Sequence, residues 1–482
     1  MSPTGIPSAC RIPAVRYLAK HAEVWVVDPR HTETARLASH HLTPRPGTDY
    51  ALLAYLVREV LRDGVRAPAQ DVDALAAAVA AFTLPHAAAV ADVPEAELER
   101  LLSAVRRAGR IVADTGTGVT MSASANVTQW LSWALLIITN SMNRPGGIWF
   151  HPGFGYQLES FELPIIPQEG HFGPGPRSRP ETQAFLREWP CATLPDEINA
   201  GNIRAFLNLG GSLLTAFPDA GSLLPALEKL DVLATTEILP NETTAISTHV
   251  LPTKGQLERP DVTLWDILSP RVSAQHTDAL ITPVGQRRSM WWVLAEIGRR
   301  LGHELADTDA SDEAMLAQVS SGGRAPYDEL VTNGWAEADR ELPAPWVDRH
   351  IERLGGWRLA PQVLVDQLNA LQEPAQLVLV PRRQMRRLNA QLEFLGEVAE
   401  IVVHPDDAAA AGVSDDQGLI VRRKHGELTG VARVDASVRR GAVSVPHGHA
   451  SANVNLLTSK DDIDLVTGMT RYSGIPVSLH PA

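Results

Sequence analysis

The chain has 482 residues, 44% hydrophobic and 21% charged, with a formal net charge of −13 and a pI of about 5.7. Such a length and composition suit two to four globular domains and exclude disorder as the default state. The acidic balance argues against nucleic acid or an anionic membrane as the main partner, because phosphate binding wants a basic face.

The two cysteines, Cys10 and Cys191, give no disulfide framework and suit a reducing compartment. They are too few for an iron–sulfur cluster, which usually takes four thiolates, or for a Cys-rich zinc site. No signal-peptide pattern opens the sequence, and the longest apolar stretch, Trp130 to Thr139, is shorter than the roughly 20 residues a bilayer needs. A cytoplasmic protein without a membrane partner is expected.

In chain order, residues 24–27 (Val-Trp-Val-Val) predict a buried parallel strand that ends in Asp28-Pro29. Helices are expected over 32–41, 48–63 and 94–108, the second with Thr48 or Asp49 as N-cap. Residues 110–114 predict the next strand, running into Thr115-Gly116-Thr117-Gly118 and a helix over about 124–141. Strand, acidic or Gly-rich turn, helix is the grammar of a doubly wound α/β domain, here residues 1–150. Residues 151–200 are rich in Gly and Pro and predict a long excursion on the surface or over a site. A second α/β region follows within 151–370, with strands at 204–209 and 231–235 and helices at 221–230 and 288–302, while 303–370 is mixed and polar. From 371 to 482, short β-rich runs at 377–380, 401–403, 419–421 and 442–445 predict a small β-barrel or sandwich.

Asp28, at a strand's carboxyl end, can accept two hydrogen bonds from a ribose diol or from guanine, or can simply cap the turn before Pro29. Arg30 can pair with a phosphate or stay solvated. Pro46-Gly47-Thr48-Asp49 can bring backbone N–H groups to an anion at a helix start, or be an ordinary N-cap. Gly116-Thr117-Gly118 is an incomplete dinucleotide fingerprint, since the third glycine would fall on Met121; it argues against a standard NAD site but permits close approach of a phosphate. Glu242 and Glu258 flank Val250-Leu251-Pro252 and can do proton work or lie in salt bridges. Arg382, Arg383, Arg386 and Arg387 form a basic cluster suited to phosphates, a pterin or plain solvation. His447 and His449 have strand spacing but no third metal ligand nearby, so no metal site is assigned. Asn453 and Asn455 offer amides for a heterocycle or for a turn.

Together these stretches resemble the molybdopterin-containing oxidoreductases of the dimethyl sulfoxide reductase, formate dehydrogenase and nitrate reductase superfamily. Val27-Asp28-Pro29-Arg30-His31-Thr32-Glu33-Thr34 is similar to that family's D-P-R-x-T-E-T, Arg45-Pro46-Gly47-Thr48-Asp49 to its P-G-T-D, and Asn143-Arg144-Pro145-Gly146-Gly147 to its R-P-G-G. Asn241-Glu242-Thr243-Thr244 with Val250-Leu251-Pro252 resembles its E-T … V-L-P, and the stretch from Pro405 through Pro446-His447-Gly448 to Asn455 resembles its dinucleotide-binding barrel.

The resemblance implies Rossmann-like doubly wound α/β domains followed by a six-stranded-type β-barrel. It further implies a molybdenum bis(molybdopterin guanine dinucleotide) cofactor and a small redox substrate. By motif, the cofactor-binding residues are Asp28, Arg30, Thr32, Gly47, Asp49, Gly116, Gly118, Glu242, Arg383, His447 and Asn455, with Asp28, Arg30 and Asp49 at one guanosine end. Some family positions differ: the usual G-G-N-P is Gly210-Gly211-Ser212-Leu213, and Asp416 replaces a turn glycine. The family's leading region, which carries the metal ligand and any iron–sulfur segment, has no counterpart here, and either a partner chain or sequence upstream of a misplaced start codon is expected to supply it. The second α/β domain should then leave apolar surface uncovered. The competing expectations are a non-catalytic remnant that binds a nucleotide or partner chain, and a nucleotide-dependent dehydrogenase with Asp28 on the ribose.

Overall fold

The computed structural model describes residues 11–160, 172–263, 269, 271–372, 375–384, 387, 389–390, 395–396 and 398–482. Cys10 and Arg386 lie outside the described residues.

The first core is mostly helical. Its centre is the helix Asp49–Arg62, whose Ala51, Leu52, Tyr55, Leu56 and Val60 recur at helical spacing and are buried. Against it lies the all-round apolar helix Ala125–Ile138, as expected for a helix surrounded by protein. Glu95–Ala108 covers another side with Leu98, Leu101, Leu102 and Val105. Leu359 and Leu368, far along the chain, complete this core, and Trp130 Nε1 donates to the Leu359 carbonyl at 2.7 Å.

The accompanying sheet is smaller than expected. Trp25–Val27 (β1) pairs in parallel with His40–Leu42 (β2). The predicted helix over 32–41 is instead a 3-10 turn at Ala35–Leu37 followed by β2. The strand predicted at 110–114 forms no ladder, because no neighbouring strand lies beside it among the described residues. The second region contains a three-stranded parallel sheet in the order Ala205–Asn208, Val232–Glu237, His249–Pro252, crossed by the helix Ala220–Leu227. Leu209, Leu239 and Val250 around it are each 48% exposed.

Beyond residue 376 the chain forms one mixed sheet. Its strand order is Ile475–Pro476, Val378–Arg382, Ala442–Pro446, Glu400–Val403, Gly426–Val434, Gly418–Arg423, Ser478–Pro481. The six-stranded barrel expected from the sequence is thus a curled seven-stranded half-barrel. The two edge strands, separated by Val477, do not pair with each other, so the ladder stays open. Alternate residues (Leu379, Ile401, Val403, Leu419, Val421, Val443, Val445) fill its interior.

Among the described residues no single helix is long and apolar enough to cross a membrane. The bent pair Val72–Val79 and Leu84–Ala91 reaches that composition only jointly, and it buries Leu75, Val79, Ala87 and Ala91 in the first core.

Candidate functional site

Asp28 is pinned at the end of β1, where its N–H donates to the Leu42 carbonyl at 3.0 Å. One carboxylate oxygen accepts from the Arg30 N–H at 2.8 Å, and burial pushes its proton affinity up. Asp49 opens the helix Asp49–Arg62, and burial together with the charge of Asp28 raises its carboxyl to about 6. The loop between them therefore brings the two acids together. Gly47 makes that possible, because its φ of +83° suits glycine and its carbonyl accepts from Ser124 Oγ at 2.9 Å. Thr48 does not cap the helix; its hydroxyl donates to the Arg45 carbonyl at 2.6 Å. Thr32 Oγ1 accepts from the Ala35 N–H at 3.2 Å, which closes the following turn.

The half-barrel clasps this loop. His31 N–H donates to the Ser437 carbonyl at 2.7 Å, Arg439 N–H to the Pro29 carbonyl at 2.8 Å, and Arg30 forms an antiparallel bridge with Val438. Arg30 is half-buried in that contact.

A cavity of about 600 Å³ opens where the three regions meet. The first region contributes Thr117, Gly118 and Met121, the second Gly211 and Ser212, and the half-barrel Arg382, Arg383, His447, Tyr472 and Ser473. A side chain built on Gly116, Gly118 or Gly211 would meet no atom within 4 Å, so open space lies over all three. Arg383 is exposed on the wall. Burial, then Arg383 and Arg387, push the His447 imidazole below its ordinary proton affinity; burial, then Arg387 and Arg382, hold His449 at about 4. Both rings are neutral at physiological pH, in surroundings that favour anions.

Asn455 lies behind this wall. It is fully buried, and its amide donates to the Thr215 carbonyl at 2.7 Å; Asn453 does the same to Leu214 at 2.7 Å. Glu242 begins the short helix Glu242–Ile246, capped by Asn241, and accepts from Ser212 Oγ at 2.8 Å.

A further cavity of about 510 Å³ is lined by Gly210, Gly211, Glu237, Thr253 and Lys254. Glu237 ends its strand as Asp28 ends β1, and it accepts the Gly211 N–H at 2.7 Å and the Ile238 N–H at 2.8 Å. Sequence reasoning passed over Glu237, although a carboxylate closing a β-rich run before a turn was the same signal that singled out Asp28. A third cavity, about 260 Å³, is lined by Pro46, Gly47, Ser124 and Arg471. Ser473 belongs to the walls of this one and of the central cavity, and Gly211 to those of the central and Glu237 cavities. The three adjoin through these shared residues; Glu237 lines one outer cavity, while Asp28 and Asp49 line none of the three, Asp49 standing next to Tyr50 of the other outer cavity's wall.

Residues 10–300 match the family model described as molybdopterin oxidoreductase, and residues 377–476 match the molybdopterin dinucleotide binding domain. The NADPH-Fe(3+) oxidoreductase subunit alpha of Geobacter sulfurreducens is 24% identical over 460 residues, covering 92% of this chain and 52% of that protein. The F420-dependent formate dehydrogenase 1 subunit alpha of Methanococcus maripaludis is 22% identical over 482 residues, covering 92% and 70%. The chain thus spans about half the length of the Geobacter relative. In fold it is similar to the acetylene hydratase of Pelobacter acetylenicus, with a TM-score of 0.82 and 16% identity over 98% of this chain and 76% of that one. The two family matches support a molybdopterin cofactor, and with one of them spanning more than half of its residues, the chain belongs to the molybdopterin oxidoreductase family.

Proposed function

We propose that this chain holds two molybdopterin guanine dinucleotides end to end along the row of cavities. It would serve as the cofactor-binding part of a molybdopterin-dependent oxidoreductase. The observation that carries this reading is the row itself: glycine-lined and cationic in the middle, with Glu237 on the wall at one outer end and Gly47 and Tyr50, the neighbours of Thr48-Asp49, on the wall at the other.

The residues present fit such a group. Asp28 and Asp49 are paired acceptors that match the N1–H and exocyclic amine of guanine, and Glu237 offers a carboxylate at the far end. Open space over Gly118 and Gly211 lets a phosphate approach the backbone. Arg383 balances negative charge beside it, and neutral His447 can donate from one ring nitrogen and accept at the other without adding charge. When bound, the cofactor supplies two-electron redox chemistry at its metal. The substrate is a small molecule that reaches the central cavity.

The test is elemental and nucleotide analysis of the chain purified from a host that makes the cofactor. Molybdenum with two guanine bases released per metal on acid treatment is the expected result, and Asp49→Ala should lower the guanine yield. A chain with neither metal nor guanine overturns the proposal in favour of a non-catalytic remnant. Tight NAD binding instead would favour a dehydrogenase.

A further inference from the structure

Residues 471–473 form the wall between two of the cavities. Tyr472 and Ser473 line the central one; Arg471 and Ser473 line the outer one beside Gly47. The backbone of this wall is fixed to its surroundings. The N–H groups of Tyr472 and Ser473 both donate to the Met121 carbonyl, at 2.8 and 3.0 Å, and the Gly474 N–H donates to the Leu379 carbonyl at 2.9 Å.

Arg471 is the one cation on the described wall of the outer cavity, and Asp462 is the one anion. They are joined twice. The Arg471 N–H donates to the Asp462 carbonyl at 2.9 Å, beside the antiparallel bridge between Ile463 and Thr470, and the Arg471 guanidinium lies 3.2 Å from Asp462 Oδ1. The other carboxylate oxygen accepts from Arg423 at 2.7 Å, and Arg423 also donates to the Leu457 carbonyl at 3.0 Å. Among the described residues no other acid pairs with either arginine.

One carboxylate thus serves two guanidinium groups, which leaves the trio with a net positive charge. Arg423 is committed to the protein, its side chain 14% exposed. Arg471, at 40%, has donors to spare after its contact with Asp462. A guanidinium held in place beside a cavity, with charge left over, favours a bound anion whose oxygens match its planar fork.

The position of Arg471 says which anion. A dinucleotide carries its diphosphate in the middle. Threaded from the central cavity towards the corner of Asp28 and Asp49, it passes the wall that both cavities share with that diphosphate. We propose that Arg471 binds the diphosphate of the dinucleotide whose base lies towards Asp49. The two acids then read the base, and Arg471 reads the charge behind it. The inference rests on the cofactor reading above and adds a residue that no sequence motif singled out.

The test is calorimetric titration of the cofactor-free chain with guanosine diphosphate and with guanosine, which share the base and differ in charge. The unaltered chain should bind the diphosphate about tenfold more tightly, the size of one charge-assisted contact. Arg471→Gln should erase that preference and leave the affinity for guanosine within about twofold. Equal affinity of the unaltered chain for the two ligands overturns the proposal without any variant. A preference that survives Arg471→Gln overturns it too, and so does a loss for guanosine as large as that for the diphosphate, because Arg471 would then only support the wall. Asp49→Ala separates the two readings. If it weakens both ligands while Arg471→Gln changes neither, the base site stands and the role of Arg471 falls. An unaltered chain that binds neither ligand ends both.

Discussion

Asp49 shares its corner with Asp28, and burial together with the Asp28 charge holds the Asp49 carboxyl at about 6, against an ordinary 3.8. The folded chain therefore binds this proton more tightly than the unfolded chain does. The stability this gives is fully present below about 3.8 and is lost as the pH rises through 6. Asp49→Asn should therefore stabilise the cofactor-free chain at pH 7.5, by up to about 3 kcal/mol, and change little at pH 4. Urea denaturation at the two pH values reads the difference. Equal effects at both would show that the carboxyl is not strained.

The same carboxyl sets a pH dependence for guanine. Only the ionised form accepts hydrogen bonds at both oxygens. Binding of guanosine monophosphate to the cofactor-free chain should strengthen as the pH rises from 5 to 7 and flatten above that. Asp49→Asn should remove the dependence, and calorimetric titration reads both. An unchanged profile in the variant would assign the titration to another group.

These two acids were legible because each stands in a short pattern with a local physical cause: a carboxylate after a β-branched run, and one after Pro-Gly at a helix start. The long helices were legible for the same reason, since Leu98, Leu101, Leu102 and Val105 mark one face without help from elsewhere. What escaped depends on partners distant in sequence. Val112 and its neighbours have strand composition but no strand beside them. The Gly426–Val434 strand alternates weakly and is fixed by two neighbours. Asn455 reads as a free amide until Thr215 is placed against it.

His447 and His449 give a prediction of opposite sign. Burial and neighbouring arginines depress both, so the stability gained by keeping His449 neutral is fully present above its ordinary 6.5 and is lost as the pH falls through about 4. Arg383→Met should raise the His447 pKa and move His449, whose arginine neighbours are Arg387 and Arg382, much less. Imidazole proton shifts followed by NMR titration distinguish the two rings. Equal shifts would mean that Arg383 acts through the fold rather than through its charge.

Gly118 separates binding from folding. A side chain there meets no atom within 4 Å, and its φ lies outside the left-handed region. Gly118→Val should leave the melting temperature of the cofactor-free chain within about 2 °C, since surface changes usually cost under 0.5 kcal/mol. Its molybdenum and guanine content should fall at least tenfold, because the new methyls project into the central cavity. Normal loading would place the cofactor elsewhere.

Asn455 is the sharpest test of whether a residue recognised by motif touches the cofactor or holds the walls together. Its amide crosses from the half-barrel to the Thr215 carbonyl in the second region, and both residues are buried. Asn455→Ala leaves that carbonyl without its donor, which costs about 1–3 kcal/mol. Asn453→Ala removes the neighbouring bond to Leu214. Because the two bonds act on the same short helix, Leu213–Ala216, their losses should not add. The expected result is a lower urea midpoint for Asn455→Ala in the cofactor-free chain, with the double variant losing less than both single losses together. A variant with unchanged cofactor-free stability but poor molybdenum loading would instead make Asn455 a direct cofactor contact.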